Sequence, residues 1–157
     1  MISTPTAALA GASAGCVCFH LRRSARTISQ VYDRILAPSG LRGTQYTLLT
    51  VVRRAGGLAF SSLAEVLGMD RTTLTRNLRP LERDGLLMIE AGADRRVRLV
   101  KLTRLGERKQ ADAQPLWAKA HRRITNGIGE ATWNTLRQNL THTIAVGHEA
   151  IAEQDQL

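Results

Sequence analysis

A mainly α-helical fold carrying one small β-ribbon is predicted by three observations. Apolar residues recur at helical spacing along most of the 157-residue chain. One pair of short runs with strand character, residues 86–90 and 96–102, interrupts them. Glycine-containing breaks near positions 40, 56, 68, 85 and 127 separate the periodic segments.

Residues 1–15 are small, neutral and diluted by Pro5, Gly11 and Ser13, and are expected to form a frayed tail. Ser13-Ala14-Gly15-Cys16 loosely matches a lipoprotein cleavage box, but no charge precedes Arg22, as a secretory leader requires. Residues 16–157 are expected to form a single domain.

The first helix is expected over 16–36, where Val17, Leu21, Ser24, Ile28, Val31 and Ile35 follow a 4-3-4-3-4 spacing. Pro38-Ser39-Gly40 ends it. A second helix, about 44–54, carries Leu48, Leu49, Val51 and Val52. Ser62-Leu63-Ala64-Glu65 reads as a capping box opening a short helix over 62–67. Asp70 then caps a helix over 71–84 with Leu74, Leu78 and Leu81 as its buried stripe. Pro80 lies inside it and is expected to bend or strain it. Asp84-Gly85 closes it. The strands at 86–90 and 96–102 return through a turn at Ala91-Gly92-Ala93-Asp94. Thr103 caps a helix over 104–127 expected to be interrupted near Pro115, and a last helix spans 130–152 with Trp133, Leu136, Leu140, Ile144 and Ile151 on one side.

Helix, turn, helix and ribbon in this order make a winged helix-turn-helix over 44–102. The long helices at 16–40 and 104–157 lie outside it. Their apolar seams have little to pack against within one chain, so pairing of two copies is expected to bury them, which makes them dimerisation helices.

Charge points to the partner. The formal net charge is +9, from 22 Lys+Arg against 13 Asp+Glu. Residues 1–60 hold +6 and 70–104 hold +4, whereas 105–157 are neutral. A basic excess concentrated this way suits a polyanion. Stepping about 100° per residue from Leu74 puts Leu78 and Leu81 within about 40° of it. Thr72, Arg76, Arg79 and Arg83 fall on the opposite side, with Thr73 and Thr75 on the flanks. Thr hydroxyls and Arg guanidinium groups are suited to base edges and phosphates in a major groove. Thr72, Thr73 and Arg76, at the N-terminal end, are expected to reach bases; Arg79 and Arg83 are expected to meet phosphates. In the ribbon turn, Asp94-Arg95-Arg96 offers guanidinium groups to a minor groove, with Asp94 placed to orient one of them. A solvated basic helix face is the plainer reading of the same residues.

These residues resemble the MarR family of bacterial transcription regulators. The stretch runs over about 16–152 and is most specific at Leu63-Ala64, Asp70-Arg71-Thr72-Thr73-Leu74-Thr75-Arg76, Leu81-Glu82-Arg83-Asp84-Gly85-Leu86, Asp94-Arg95-Arg96 and Leu102-Thr103-x-x-Gly106. The resemblance implies an obligate homodimer on a pseudo-palindromic double-stranded DNA operator, with Arg96 entering the minor groove and Asp94 orienting it. Two-fold pairing would set the reading helices about one DNA turn apart.

Cys18-Phe19-x-Leu21 resembles the organic-hydroperoxide-sensing branch of that family. There the resemblance implies that Cys18 is the oxidised residue and that Tyr32 hydrogen-bonds its thiolate. Cys18 and Tyr32 are about 21 Å apart along one helix, so they would meet only across a dimer. The chain departs from the branch at Gly43 and Arg22, each where a tyrosine is expected, and it has no C-terminal cysteine. A one-cysteine switch at Cys18, chemistry involving its neighbour Cys16, and an inert thiol at a helix interface remain open. A metal at Cys16, Cys18 and His20 is disfavoured, because on a helix the middle residue points away. The family also implies a small organic effector, an aromatic acid or phenol, for which His20, Arg22, Arg23, Tyr46 and Trp117 are the candidate lining.

No zincin, nucleophile-elbow, phosphate-loop or dinucleotide motif is present, so no catalytic residue and no cofactor is implied. With two cysteines and no apolar run of about 18 residues, a reducing cytoplasmic setting away from membranes is expected. The competing classes are a non-specific architectural DNA binder and, remotely, a thiol-dependent enzyme.

Overall fold

The computed structural model describes residues 15–94 and 96–154. The expected N-terminal tail thus falls outside the described residues, except Gly15. Contacts group into two compact units, one reaching to Ala118 and the other beginning at Lys119.

In the first unit, α1 (Val17–Leu36) leads through a 3-10 turn (Ala37–Ser39) to α2 (Gly43–Ala55). The junction is held by polar bonds. The Gly43 amide donates to Asp33 Oδ1 at 2.7 Å, and the Arg42 amide donates to Gln45 Oε1 at 2.9 Å. Strand β1 (Leu58–Ala59) follows, then α3 (Phe60–Val66), α4 (Arg71–Arg83), β2 (Leu87–Ala91), β3 (Arg98–Leu102) and α5 (Arg104–Ile128), whose residues from Lys119 onward belong to the second unit. α6 (Glu130–Gln154) lies in the second unit.

The sheet is antiparallel with order β1-β3-β2; Ile89 pairs with Val100 on one side and Leu58 pairs with Val100 on the other. It therefore has three strands where the sequence predicts two. Two residues are too few to show an alternation, and β1 exists because β3 offers it a hydrogen-bonding edge. This strand also moves the start of α3. The expected cap at Ser62 is not used: α3 begins at Phe60, with Ala59 in the cap position and no side-chain cap bond. The chain passes straight from β1 into helix because burial of Phe60 in the core fixes the first turn.

The core lies under the three-helix lobe. Leu36, Leu48, Leu49, Leu63, Leu74, Leu78, Leu81, Val52 and Val100 are essentially sealed from solvent. Each such side chain contributes about 1.5–3 kcal/mol on burial. The Leu74-Leu78-Leu81 stripe thereby decides the rotation of α4, since turning it over would expose three leucines and bury its arginines. α4 runs through Pro80 to Arg83 and closes on Gly85, φ +68°, where the Leu86 amide reaches back to the Leu81 carbonyl at 2.8 Å.

The expected interruption at Pro115 is absent; α5 is one helix from Arg104 to Ile128. Eleven residues into the helix, the missing donor is one backbone bond among many, and Ala113 beside it is fully buried. Gly129, φ +82°, ends the run, and in the second unit His121 packs edge-on to Trp133 at 5.9 Å.

Candidate nucleic-acid interface

α4 is set by its cap. The Asp70 carboxylate accepts the Thr73 amide at 2.8 Å and the Thr73 hydroxyl at 2.6 Å. These bonds, the hydroxyl first and the amide second, hold the Asp70 carboxyl below its ordinary value of 3.8. A lowered folded value means that the cap's contribution is complete above the unfolded value and is lost as pH falls through the folded one. Asp70→Asn is therefore expected to flatten the acid limb of the melting-temperature profile below about pH 4. Thermal melts across that range check it, and parallel profiles for the two proteins would refute it.

Thr72, Arg76, Arg79 and Arg83 are exposed on the side of α4 opposite its leucines, with Thr73 and Thr75 half-buried on the flanks. Arg71, Thr72, Thr75, Arg76 and Arg79 line a concave surface of about 430 Å³. Two of the three threonines are committed locally: Thr73 donates to Asp70, and Thr75 donates to the Arg71 carbonyl at 2.8 Å. Their oxygens keep acceptor capacity, which suits the exocyclic amines of adenine and cytosine. Arg83 Nε donates to Asp84 Oδ1 at 3.0 Å, which ties its head to the C-terminal end of the helix.

In the wing turn, the Asp94 carboxylate accepts the Arg96 backbone amide at 2.9 Å, and the Asp94 carbonyl accepts the Val97 amide at 2.9 Å. The bond seen at Asp94 thus shapes the backbone from which the Arg96 side chain projects. Asp94 and Arg96 are exposed; Arg95 lies outside the described residues. The base of the wing is bolted to α5. The Thr103 hydroxyl donates to the Gly85 carbonyl at 2.6 Å and accepts the Gly106 amide at 3.0 Å.

Sequence reasoning missed Arg71. Its wheel angle, about 60° from Leu74, places it beside the apolar stripe. As the first residue of α4 it has no preceding turn to cover it, and it is exposed with its guanidinium over the Phe60 ring, 5.6 Å from the centroid.

The candidate sensing residues are not brought together within the chain. Cys16 and Cys18 are exposed at the start of α1, whereas Tyr32 is near its other end. Burial pushes the Tyr32 hydroxyl above its usual range, so it is protonated and able to donate at neutral pH. Of the candidate effector lining, Tyr46 and Trp117 stack at 5.8 Å and border a cavity of about 580 Å³. That cavity also takes in Arg53, Arg54 and Gln110, which no local sequence pattern marks. Gln110 is buried, its amide nitrogen donating to the Tyr46 hydroxyl at 3.2 Å and to Thr50 Oγ1 at 3.1 Å, its oxygen accepting from Arg53. Among the described residues no group of three or more His, Cys, Asp or Glu is placed to hold a metal ion. No described helix is long and apolar enough to cross a membrane.

Comparison with known proteins agrees with this geometry. The family model described as MarR family matches residues 41–98, most of the lobe. The Mycobacterium tuberculosis transcriptional regulator MosR, solved in complex with DNA, is 38% identical; the match covers 86% of this chain and 98% of that one, with a TM-score of 0.79. YwoH of Bacillus subtilis (strain 168), an HTH-type transcriptional regulator, is 32% identical over 57% of this chain and 65% of its own length, slightly under two thirds. BadR of Rhodopseudomonas palustris (strain ATCC BAA-98 / CGA009), a transcriptional activatory protein, is 29% identical over 80% of this chain and 71% of its own. With its helix-turn-helix, its three-stranded sheet and the exposed basic side of α4, the chain belongs to the MarR family and is a regulator of transcription, not an enzyme.

Proposed function

We propose that the chain is one protomer of a homodimer that binds a pseudo-palindromic operator and represses by excluding polymerase. The observation that carries this is the solvent side of α4, where Thr72, Arg76, Arg79 and Arg83 stand exposed opposite three buried leucines. In the lobe over 44–102, α4 reads the major groove with these residues and with Thr73 and Thr75. Asp94, Arg95 and Arg96 serve the minor groove. The flanking helices, 16–40 and 104–157, supply the dimer contacts. Exposed apolar residues on each support this: Val17 is 64% exposed on α1, and Ile144 and Ile151 are 61% and 60% exposed on α6. Such residues on separate long helices are the surface that a second copy buries. The protein works in the cytoplasm, where its duplex is.

Selection from a random duplex pool tests this. The expected product is an inverted repeat with half-sites about 10 base pairs apart, retained against a large excess of random duplex. Binding without a preferred site would make the protein an architectural binder. Sedimentation of the free protein as a monomer would remove the dimer. Activation instead of repression, the role in BadR's name, would show as a rise in transcription from a promoter carrying the selected site.

Two signals are compatible with the chain. In one, a hydroperoxide oxidises the exposed Cys18 thiol to a sulfenic acid and leaves as the alcohol. In the other, a small aromatic acid enters the Tyr46-Trp117 cavity, whose size fits such a ligand and whose Arg53 and Arg54 match its charge. Either would alter the separation of the two reading helices, and a mismatch with the groove repeat lowers affinity. Cys18→Ser is expected to bind the operator as tightly as wild type and to ignore cumene hydroperoxide. If the variant still lets go of DNA on oxidation, Cys18 is not the sensor. Release by benzoate that Arg53→Ala abolishes would assign the signal to the cavity.

A further inference from the structure

An element in the major groove and an element in the adjacent minor groove must straddle one sugar-phosphate strand, because that strand separates the two grooves. If α4 and the wing dock as proposed above, the strand has to pass between them. The structure has a groove there, about 350 Å³, with an apolar floor that includes Phe60, Ala64 and Val97 and with Ser61, Arg71, Arg96 and Arg98 around it. Three of its seven lining residues are arginines, and all three are exposed. Arg71 also borders the concave surface on the reading side of α4, so it stands at the junction of the two depressions.

The Phe60 ring is buried and fixed in the core, and the Arg71 guanidinium rests over it at 5.6 Å. A planar guanidinium on an aromatic face gives up part of its rotamer freedom before any ligand arrives, and its edge donors remain available. The acidic residues beside these arginines in sequence are engaged in their own turns: Asp70 holds Thr73, and Asp94 holds the Arg96 amide.

We propose that this groove seats the phosphate strand between the two docking elements. Arg71 is a phosphate ligand, Arg98 lines the same groove from the wing, and the Ser61 hydroxyl supplies a further donor. Phe60 is a positioning residue that acts through Arg71. The phosphate seat carries no sequence information; it fixes how deeply helix and wing enter their grooves together.

The test uses the duplex selected by the wild-type protein and measures its affinity over a salt series for wild type, Arg71→Ala, Phe60→Leu and the double variant. Arg71→Ala is expected to lower affinity about tenfold or more. It should also reduce the salt slope by about 0.9 for each phosphate no longer neutralised, or about 1.8 for two half-sites. The order of preference among duplexes should not change. Phe60→Leu keeps an apolar side chain in the core but removes the ring face. It is expected to cost several-fold in the wild-type background and nothing further in the Arg71→Ala background. An unchanged slope in Arg71→Ala overturns the phosphate seat. A Phe60→Leu loss of equal size in both backgrounds overturns the positioning role, leaving Phe60 as core alone. Thermal melts of each variant distinguish weakened DNA binding from unfolding. If the wild type selects no duplex, the regulatory reading fails and takes this groove with it. If the wild type selects one and Arg71→Ala binds it normally, only the groove fails.

Discussion

Replacing Arg96 by alanine is expected to weaken operator binding by about 30-fold to 10⁴-fold at fixed salt, a loss of about 1–3 kcal/mol at each of two half-sites. The size follows from its place. Arg96 projects from a wing turn whose backbone is fixed by the Asp94 carboxylate at 2.9 Å. A guanidinium held on a fixed turn pays less to order itself in a narrow minor groove, where the negative potential is strongest. Asp94→Ala should therefore lower affinity as well, by less than Arg96→Ala, and should add little on top of it, because both act through one side chain. Arg76→Ala offers a contrast. It would remove the proposed major-groove contact and should relax the preference at one base position in each half-site. Electrophoretic or anisotropy titrations on the selected duplex and its single-base variants distinguish the two patterns. Normal affinity in Arg96→Ala would remove the wing from the interface.

The parts of the candidate interface that are legible in the sequence are those with a period. Three leucines at helical spacing set the buried side of α4, and the side that remains is the one that stands in solvent. Asp70 is legible as a cap because cap chemistry is local, and its bonds to Thr73 are the expected kind. What escapes depends on distant partners. β1 is two residues long and exists only through β3, and its presence displaces the start of α3 from the Ser62 box to Phe60. Arg71 escapes because a helical wheel takes no account of helix ends. Gln110 sits on a helix mid-run with nothing local to mark it, yet it is buried and ties Tyr46, Thr50 and Arg53 together across more than fifty residues of chain. Pro115 misleads in the opposite direction, because one missing amide does not outweigh the packing of a long helix.

The motif Leu102-Thr103-x-x-Gly106 can be matched without being understood, and the structure supplies its reason. A Cβ built on Gly106 would lie 1.8 Å from the Leu86 carbonyl oxygen and 2.8 Å from its carbon. Both are backbone atoms, and the oxygen is already committed, accepting the Thr103 amide at 3.2 Å. Leu86 cannot yield easily, since it is buried and its own amide closes α4 on the Leu81 carbonyl. Gly106→Ala must therefore push α5 away from the base of the wing. The expected cost is at or beyond the upper end of the overpacking range, about 3 kcal/mol or more, and a melting temperature lower by roughly 6–12 °C. Gly127→Ala is the internal control. Its Cβ would meet nothing within 4 Å in the same helix, so it should be neutral or stabilising by up to about 1 kcal/mol. Two identical substitutions in one helix should thus move stability in different directions. Equal melting temperatures for the two variants would mean that α5 does not pack on Leu86. The functional consequence follows from the same packing. Thr103 bonds to the Gly85-Leu86 segment between α4 and β2, and Gly106 packs against it, so the spacing of α4 and wing is set at this point. Gly106→Ala should then lose operator affinity even below its melting temperature, with its salt slope intact, because no charge has been removed.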